Sequence, residues 1–281
     1  MTITDKSQSP VTGSGGTLVH RIVSAIILMP GALAATYAGG PVFAAVIAFA
    51  CVVMLFEWCR MVEMHEFSPA FYTLSLTAAA ALVCAAAGLF AWAFVAGAVG
   101  AAAAAMVARG RAGAGLWTAF GALYLIAPSI ALLWLRMESE SGRALTFLLF
   151  IIVWAADSGA YAAGRFVGGP KVSPEVSPAK TWAGIVGGVI LGALAGAGAA
   201  EFAFGAGALP QYLLVGAALG LASVLGDVAE SAFKRIFGVK DSSSFIPGHG
   251  GVLDRLDGMI FATSAMTLVI FVYILSERFQ G

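Results

Sequence analysis

The feature that most constrains this chain is a succession of apolar runs, each of membrane length and separated by short polar joints. They cover residues 22–38, 41–62, 69–87, 89–108, 115–135, 144–164, 181–204, 210–233 and 256–275. About 20 residues are needed to cross the hydrocarbon of a bilayer as a helix. Inside that hydrocarbon no water is available to backbone N–H and C=O groups, so a single run can cross only as a helix. The predicted fold class is therefore all-α, a polytopic transmembrane helical bundle of about nine spans. With 60% of its 281 residues hydrophobic and 11% charged, the chain lies far from the balance of a water-soluble domain. Residues 1–19, rich in Ser, Thr and Gly, show no periodicity and predict a disordered polar tail. Ala32-Leu33-Ala34 resembles a signal cleavage site, but the long polar lead and the next apolar run favour a retained span.

Fifteen Lys+Arg balance fifteen Asp+Glu, so net charge points to no partner, and no nucleic-acid partner is expected. The distribution is more informative. With nine alternating spans, Lys6, Arg21, Arg60, Arg109, Arg111, Arg165, Lys171, Lys180, Lys234, Arg235, Lys240 and Arg255 fall on one side, and Arg136, Arg143 and Arg278 on the other. Cytoplasmic loops carry the excess of basic residues, which predicts the N-terminus in and the C-terminus out. The boundary least supported by charge is at Gly88, and losing a span there would scramble the bias. Cys51, Cys59 and Cys84 lie in apolar segments without metal-type spacing and are read as buried, inert thiols.

Gly184, Gly188, Gly192 and Gly196 recur every four residues in one span, and Gly216 with Gly220 in the next. Such ladders let helix backbones approach closely in lipid, within one subunit or across a dimer.

Polar residues gather at one end of the later spans. Asp157, Tyr161 and Arg165 are four apart on one helix face, either a stabilising network or part of a site. Residues 168–182 contain two Ser-Pro steps, which impose extended or turn geometry. Lys171 there is as consistent with an interfacial anchor as with a ligand role, whereas Lys180 beside Thr181 is better placed to meet an anion. If the eighth helix continues to Phe237, Asp227, Glu230 or Ser231, and Lys234 share a face. Asp254 and Asp257 do the same at the start of the last span. Carboxylates facing lipid are prohibitively costly, so their convergence from three helices predicts one polar cavity. Oxygen ligands without paired His or Cys suit Mg²⁺, which also holds substrate phosphates. Lys234, Arg235, Lys240 and Arg255 would complete a phosphate clamp. Pro247-Gly248-His249-Gly250-Gly251 is a turn of the kind that exposes backbone N–H groups to phosphate. His249 is either a hydrogen-bonding loop residue or a proton donor to a leaving group.

These residues resemble a known family. Ser231-x-x-Lys234-Arg235, Lys240-Asp241, Pro247-Gly248-His249-Gly250-Gly251 and Asp254-Arg255-x-Asp257 are similar to the signature of the phosphatidate cytidylyltransferases, integral-membrane CDP-diacylglycerol synthases. Upstream, Asp157-Ser158-x-Ala160-Tyr161-x-x-Gly164-Arg165, Ser177-Pro178-x-Lys180-Thr181-Trp182-x-Gly184 and Gly226-Asp227-x-x-Glu230-Ser231 are similar to further family motifs. The resemblance implies transfer of the cytidylyl group of CTP to phosphatidate, giving CDP-diacylglycerol and pyrophosphate. It implies Mg²⁺, with K⁺ a candidate to share the site, in a homodimer at the cytoplasmic face of a bacterial-type inner membrane. Asp227 and Asp254, helped by Asp257, are the expected metal carboxylates. Lys234, Arg235, Lys240 and Arg255 are expected on the phosphates, with Lys180 and Arg165 as helpers and Ser231 on a phosphate or a metal-bound water. The expected organisation is a tail over 1–19, transmembrane helices over 20–140 and a catalytic half over 141–281. Rival readings are another CTP-using membrane transferase and an anion transporter, the latter disfavoured because the polar residues sit at one side only.

Overall fold

The computed structural model describes residues 14–137, 141–205, 209–243, 245–246 and 250–280. Among them the chain forms helices α1 (Ser14–Ala38), α2 (Gly40–Glu63), α3 (Pro69–Ala86), α4 (Phe90–Val107), α5 (Ala114–Met137) and α6 (Gly142–Phe166). A hairpin of β1 (Lys171–Ser173) and β2 (Ser177–Thr181) follows, then α7 (Trp182–Phe204), α8 (Leu209–Phe237) and α9 (Leu253–Gln280). Eight of these helices are long and apolar enough to cross a membrane, and the apolar part of α1 within the described residues is Ile26–Ala38. The predicted all-α bundle is thus what forms.

Three local results refine the sequence reading. Helix α1 begins at Ser14, inside the stretch predicted to be a tail, because a helix entering from water can run on through a polar turn; residues 1–13 lie outside the described residues. The division at Gly88 is real. Gly88 takes φ +77°, its N–H donates to Ala85 O, and Leu89 N–H donates to Cys84 O, so α3 closes and α4 starts afresh. The Ser-Pro segment forms the hairpin, with Lys171 opposite Thr181 and Ser173 opposite Ser177. Thr181 then ends the strand and caps α7, its Oγ1 accepting from Gly184 N–H at 3.1 Å.

The two halves of the bundle are joined by an aromatic core. Trp58 on α2 donates its indole N–H to Trp117 O at 2.9 Å. Its ring meets Phe233 and Phe237 of α8 edge-on, with centroids 5.5 and 5.8 Å apart. Arg111 donates to Ile236 O and Phe237 O and lies over the Phe237 ring, a cation at the C-terminal, partly negative end of α8. Glu63, the last residue of α2, accepts from Ser68 Oγ and from Arg109 N–H, tying the α2–α3 and α4–α5 corners together.

In the second half α7 lies between α6 and α8, and the glycine ladders face inward. A Cβ on Gly216 would stand 2.6 Å from Gly192 O and 2.9 Å from Ala193 Cα, and one on Gly188 would stand 3.0 Å from Ala156 O. The alternatives left open by the sequence resolve in favour of packing within the subunit. Gly216→Ala should therefore destabilise the protein by about 1–3 kcal/mol, because backbone must move to admit the methyl group. Gly198→Ala, where a Cβ would meet nothing within 4 Å, should leave thermal unfolding in detergent unchanged or slightly raised.

Candidate active site

Helix α6 supplies Asp157, Tyr161 and Arg165. Arg165 Nη1 donates to Tyr161 OH at 3.3 Å, while Asp157 Oδ1 accepts from Ser223 Oγ of α8 at 3.2 Å. Asp157 is also within electrostatic reach of Arg255. Strand β2 carries Lys180 across to α8, where its Nζ donates to Asp227 Oδ2 at 2.7 Å and to Val224 O at 3.3 Å. Between α6, α7, α8 and the hairpin lies a cavity of about 350 Å³, lined by Asp157, Tyr161, Arg165, Lys180, Thr181 and Asp227 among others. The hairpin is thus the device that brings a loop lysine onto a carboxylate of a distant helix.

Because α8 does continue to Phe237, Glu230 and Lys234 stand one turn apart on one face. Lys234 Nζ lies 2.6 Å from Glu230 Oε2 and 2.8 Å from Asp254 Oδ1. The three side chains are 14%, 2% and 7% exposed in the order Lys234, Glu230, Asp254, so one ammonium serves two buried carboxylates. The choice between Glu230 and Ser231 falls to Glu230 as the partner of Lys234; Ser231 follows it, partly buried. Asp257, one turn along α9, accepts from Gly258 N–H at 2.9 Å and lies in electrostatic range of Asp227, Glu230 and Asp157. Helices α8 and α9 come close at this level. A Cβ on Gly226 would lie 2.5 Å from Asp257 O, and one on Gly258 would lie 3.3 Å from Asp227 Oδ1. Two buried oxygens beside these carboxylates, Glu230 Oε1 and Tyr124 OH, have no hydrogen-bond partner among the described residues.

Asp254 is held on every side. Besides Lys234 it receives Ser242 N–H and Gly251 N–H at 2.8 Å, and it shares the single Ser242 Oγ–H, at 3.0 Å, with Glu57. The Gly251 amide, expected from the sequence to face a phosphate, is thus directed at Asp254. Gly250 O accepts from Ile246 N–H at 2.8 Å and closes the turn; Pro247, Gly248 and His249 lie outside the described residues, and with them the role considered for His249. Arg235, Lys240 and Arg255 are exposed, and Arg235 Nε donates to Val176 O of the hairpin at 3.4 Å. The arrangement is a buried Glu230–Lys234–Asp254 cluster and, beside the cavity, a half-buried Lys180–Asp227 pair with Asp157 exposed; further cations are exposed beside them in the chain.

Sequence reasoning did not anticipate Glu57, Tyr124, Ser223, Ser242 or Ser243. Glu57 of α2 is wholly buried. It accepts from Ser242 Oγ at 3.2 Å, Ser243 Oγ at 2.5 Å, Val252 N–H at 2.9 Å and Leu253 N–H at 2.7 Å. The available signal was a lone carboxylate near the end of the run 41–62, since an ionisable residue within a span is a site hypothesis by default. Among the described residues, no three His, Cys, Asp or Glu side chains are grouped to hold a metal ion by themselves.

Residues 19–273 match the family described as the Cytidylyltransferase family. The phosphatidate cytidylyltransferases of Brucella suis and Brucella melitensis are each 35% identical to this chain over 256 residues, covering 89% of it and 92% of the relative. That of Haemophilus influenzae is 39% identical over 134 residues, 46% of each chain. With its family match running from the first span into the last and its relatives aligned over most of their length, the chain belongs to the cytidylyltransferase family.

Proposed function

We propose that this protein transfers the cytidylyl group of CTP to phosphatidate, forming CDP-diacylglycerol and pyrophosphate for phospholipid synthesis. The observation that carries the reading is the convergence of Asp157, Asp227, Asp254 and Asp257 from three helices with Lys180 and Lys234, beside a cavity wide enough for a polar headgroup. The relatives aligned over most of this chain bear the name of that activity.

The reaction joins two anions. A phosphate oxygen of phosphatidate forms a bond to the α-phosphorus of CTP, and the bond from that phosphorus to the bridging oxygen of the β-phosphate breaks, releasing pyrophosphate. The nucleophile is already ionised, so the protein must neutralise and align its substrates rather than remove a proton. Lys180 and Lys234 are the built-in cations, each pre-oriented by a carboxylate, and Arg235, Lys240, Arg255 and Arg165 are the exposed ones suited to triphosphate and lipid phosphate. The lysines and arginines stabilise charge that gathers on the departing pyrophosphate.

The residues fit Mg²⁺. Among the described residues Glu230 Oε1 and Tyr124 OH are buried without hydrogen-bond partners, in electrostatic range of Asp257, and Mg²⁺ takes one or two carboxylates plus substrate phosphates. Mg²⁺, when bound, supplies charge neutralisation and orientation of the phosphate oxygens. Asp227 and Asp257 are the carboxylates best placed for it; Asp254 can join only by exchanging one of the donors it already holds. We place the site at the cytoplasmic side of a bacterial-type inner membrane, with the N-terminus in, on the distribution of basic residues. A homodimer would use surfaces other than the glycine ladders, which are consumed within the subunit.

Purified protein given Mg²⁺, labelled CTP and phosphatidate should release pyrophosphate and yield a labelled lipid, and chelation should stop both. Lipid-independent pyrophosphate release, or none, would reject the reading. Asp227→Ala should lower kcat by about 100-fold or more while the protein remains extractable and monodisperse. Lys234→Ala should also cost about 3–5 kcal/mol of stability by leaving two buried carboxylates without their cation, and adding Glu230→Gln should recover part of it in detergent unfolding.

A further inference from the structure

The most unusual charge outside the machinery just described is Glu57. It sits in α2, the second span, and is fully buried. Such a group is tolerated in a membrane interior only when its oxygens are saturated. Among the described residues its donors are Ser242, Ser243, Val252 and Leu253, which lie 185 to 196 positions away in sequence. Two of them, the Val252 and Leu253 amides, are among the first N–H groups of α9, which no helical carbonyl can reach. Val252, whose carbonyl accepts the first bond of that helix from Leu256 N–H, has no side chain able to cap it. Glu57 therefore caps α9 from another helix, and its negative charge meets the positive end of the helix dipole.

The same carboxylate touches the site through one atom. Ser242 Oγ stands 3.2 Å from Glu57 Oε2 and 3.0 Å from Asp254 Oδ2. Asp254 Oδ1 in turn holds Lys234, and Lys234 holds Glu230. A continuous run of hydrogen bonds thus passes from α2 through the loop to α9 and α8. Gly251 lies against it: a Cβ there would stand 1.9 Å from Ser242 Oγ and 2.6 Å from Glu57 Oε1, so any side chain would break the contact.

We infer that Glu57 is a positioning residue for cytidylyl transfer: by holding Ser242, Ser243 and the first turn of α9, it fixes Asp254 and Lys234 in register with the rest of the site. Fully buried, Glu57 acts through the turn. The kinetic part of this inference rests on the proposed activity, and the structural part does not.

The test pairs the two. Glu57→Gln keeps the shape but puts an amide NH₂ among four donors, and Ser242→Ala breaks only the bridge to Asp254. A displaced catalytic group should lower kcat by about 10- to 100-fold. KM for CTP and for phosphatidate should change little, since the loss falls on the transition state. Glu57→Asp, which retains the charge, should recover part of the rate. The double variant Glu57→Gln/Ser242→Ala should lose less than the two single losses multiplied together. In amide hydrogen exchange, the segment 239–256 should exchange faster in Glu57→Gln while α7 keeps its wild-type rate. Unchanged kcat with faster exchange would overturn the catalytic role; lost kcat with unchanged exchange would overturn the route through the turn. If Glu57→Gln does not fold, Ser242→Ala decides, because Glu57 keeps its other three donors. If the wild-type protein lacks the activity, the proposed function fails, and exchange alone decides whether Glu57 holds the turn.

Discussion

One ammonium group between two buried carboxylates sets the terms for the rest of the structure. Lys234 lies within 2.8 Å of both Glu230 and Asp254, and none of the three is more than 14% exposed. Removing charge from water is tolerable only with close partners and saturated hydrogen bonds. That requirement explains why α8 must run on to Phe237, why α9 must begin at Leu253, and why the loop between them folds back so that Ser242 and Gly251 donate to Asp254. The site is a by-product of satisfying charge in a place that does not tolerate it.

The distances this demands come from helix packing. Side chains of ordinary size between α7 and α8 would hold the two axes apart, and Lys180, delivered by the hairpin just before α7, would fall short of Asp227 on α8. The glycine contacts of α7 with α6 and α8 remove that spacing. At the α8–α9 crossing Gly226 and Gly258 do the same beside Asp227 and Asp257. Small residues thus set how near the charged residues stand, and the charged residues set what the cavity can attract. On the opposite side, Trp58 and its aromatic neighbours press the first half of the bundle against the C-terminal turns of α8.

Much of this was legible from the chain. Apolar runs of bilayer length located the helices because lipid forces each run to satisfy its own backbone. Asp227, Glu230 and Lys234 could be placed together because helical periodicity is local. Lys180 was singled out by its neighbour Thr181, and Thr181 is indeed the cap of α7. What was not legible has a common cause. The partners of Glu57 lie more than 180 residues downstream, and no periodic rule links them. Tyr124 sits in a run whose hydrophobicity masks its hydroxyl. The hairpin depends on cross-strand pairing, of which the Ser-Pro steps gave only the extended half. The Gly250-Gly251 turn has the composition of an anion cradle, whereas its Gly251 amide is engaged by a residue three places on.

The contact between Gly192 and Gly216 carries a consequence for how this sequence can drift over generations. Most buried contacts join two side chains, so a larger residue on one side can be accommodated by a smaller one on the other. Here the would-be Cβ of Gly216 faces the carbonyl oxygen of Gly192 and the backbone of Ala193, atoms that every amino acid possesses. No second substitution can take them away. Position 216 cannot trade volume with its neighbours, so it leaves no trace of compensation for a descendant to follow, and the lineage must carry Gly216 or rebuild the crossing of α7 and α8.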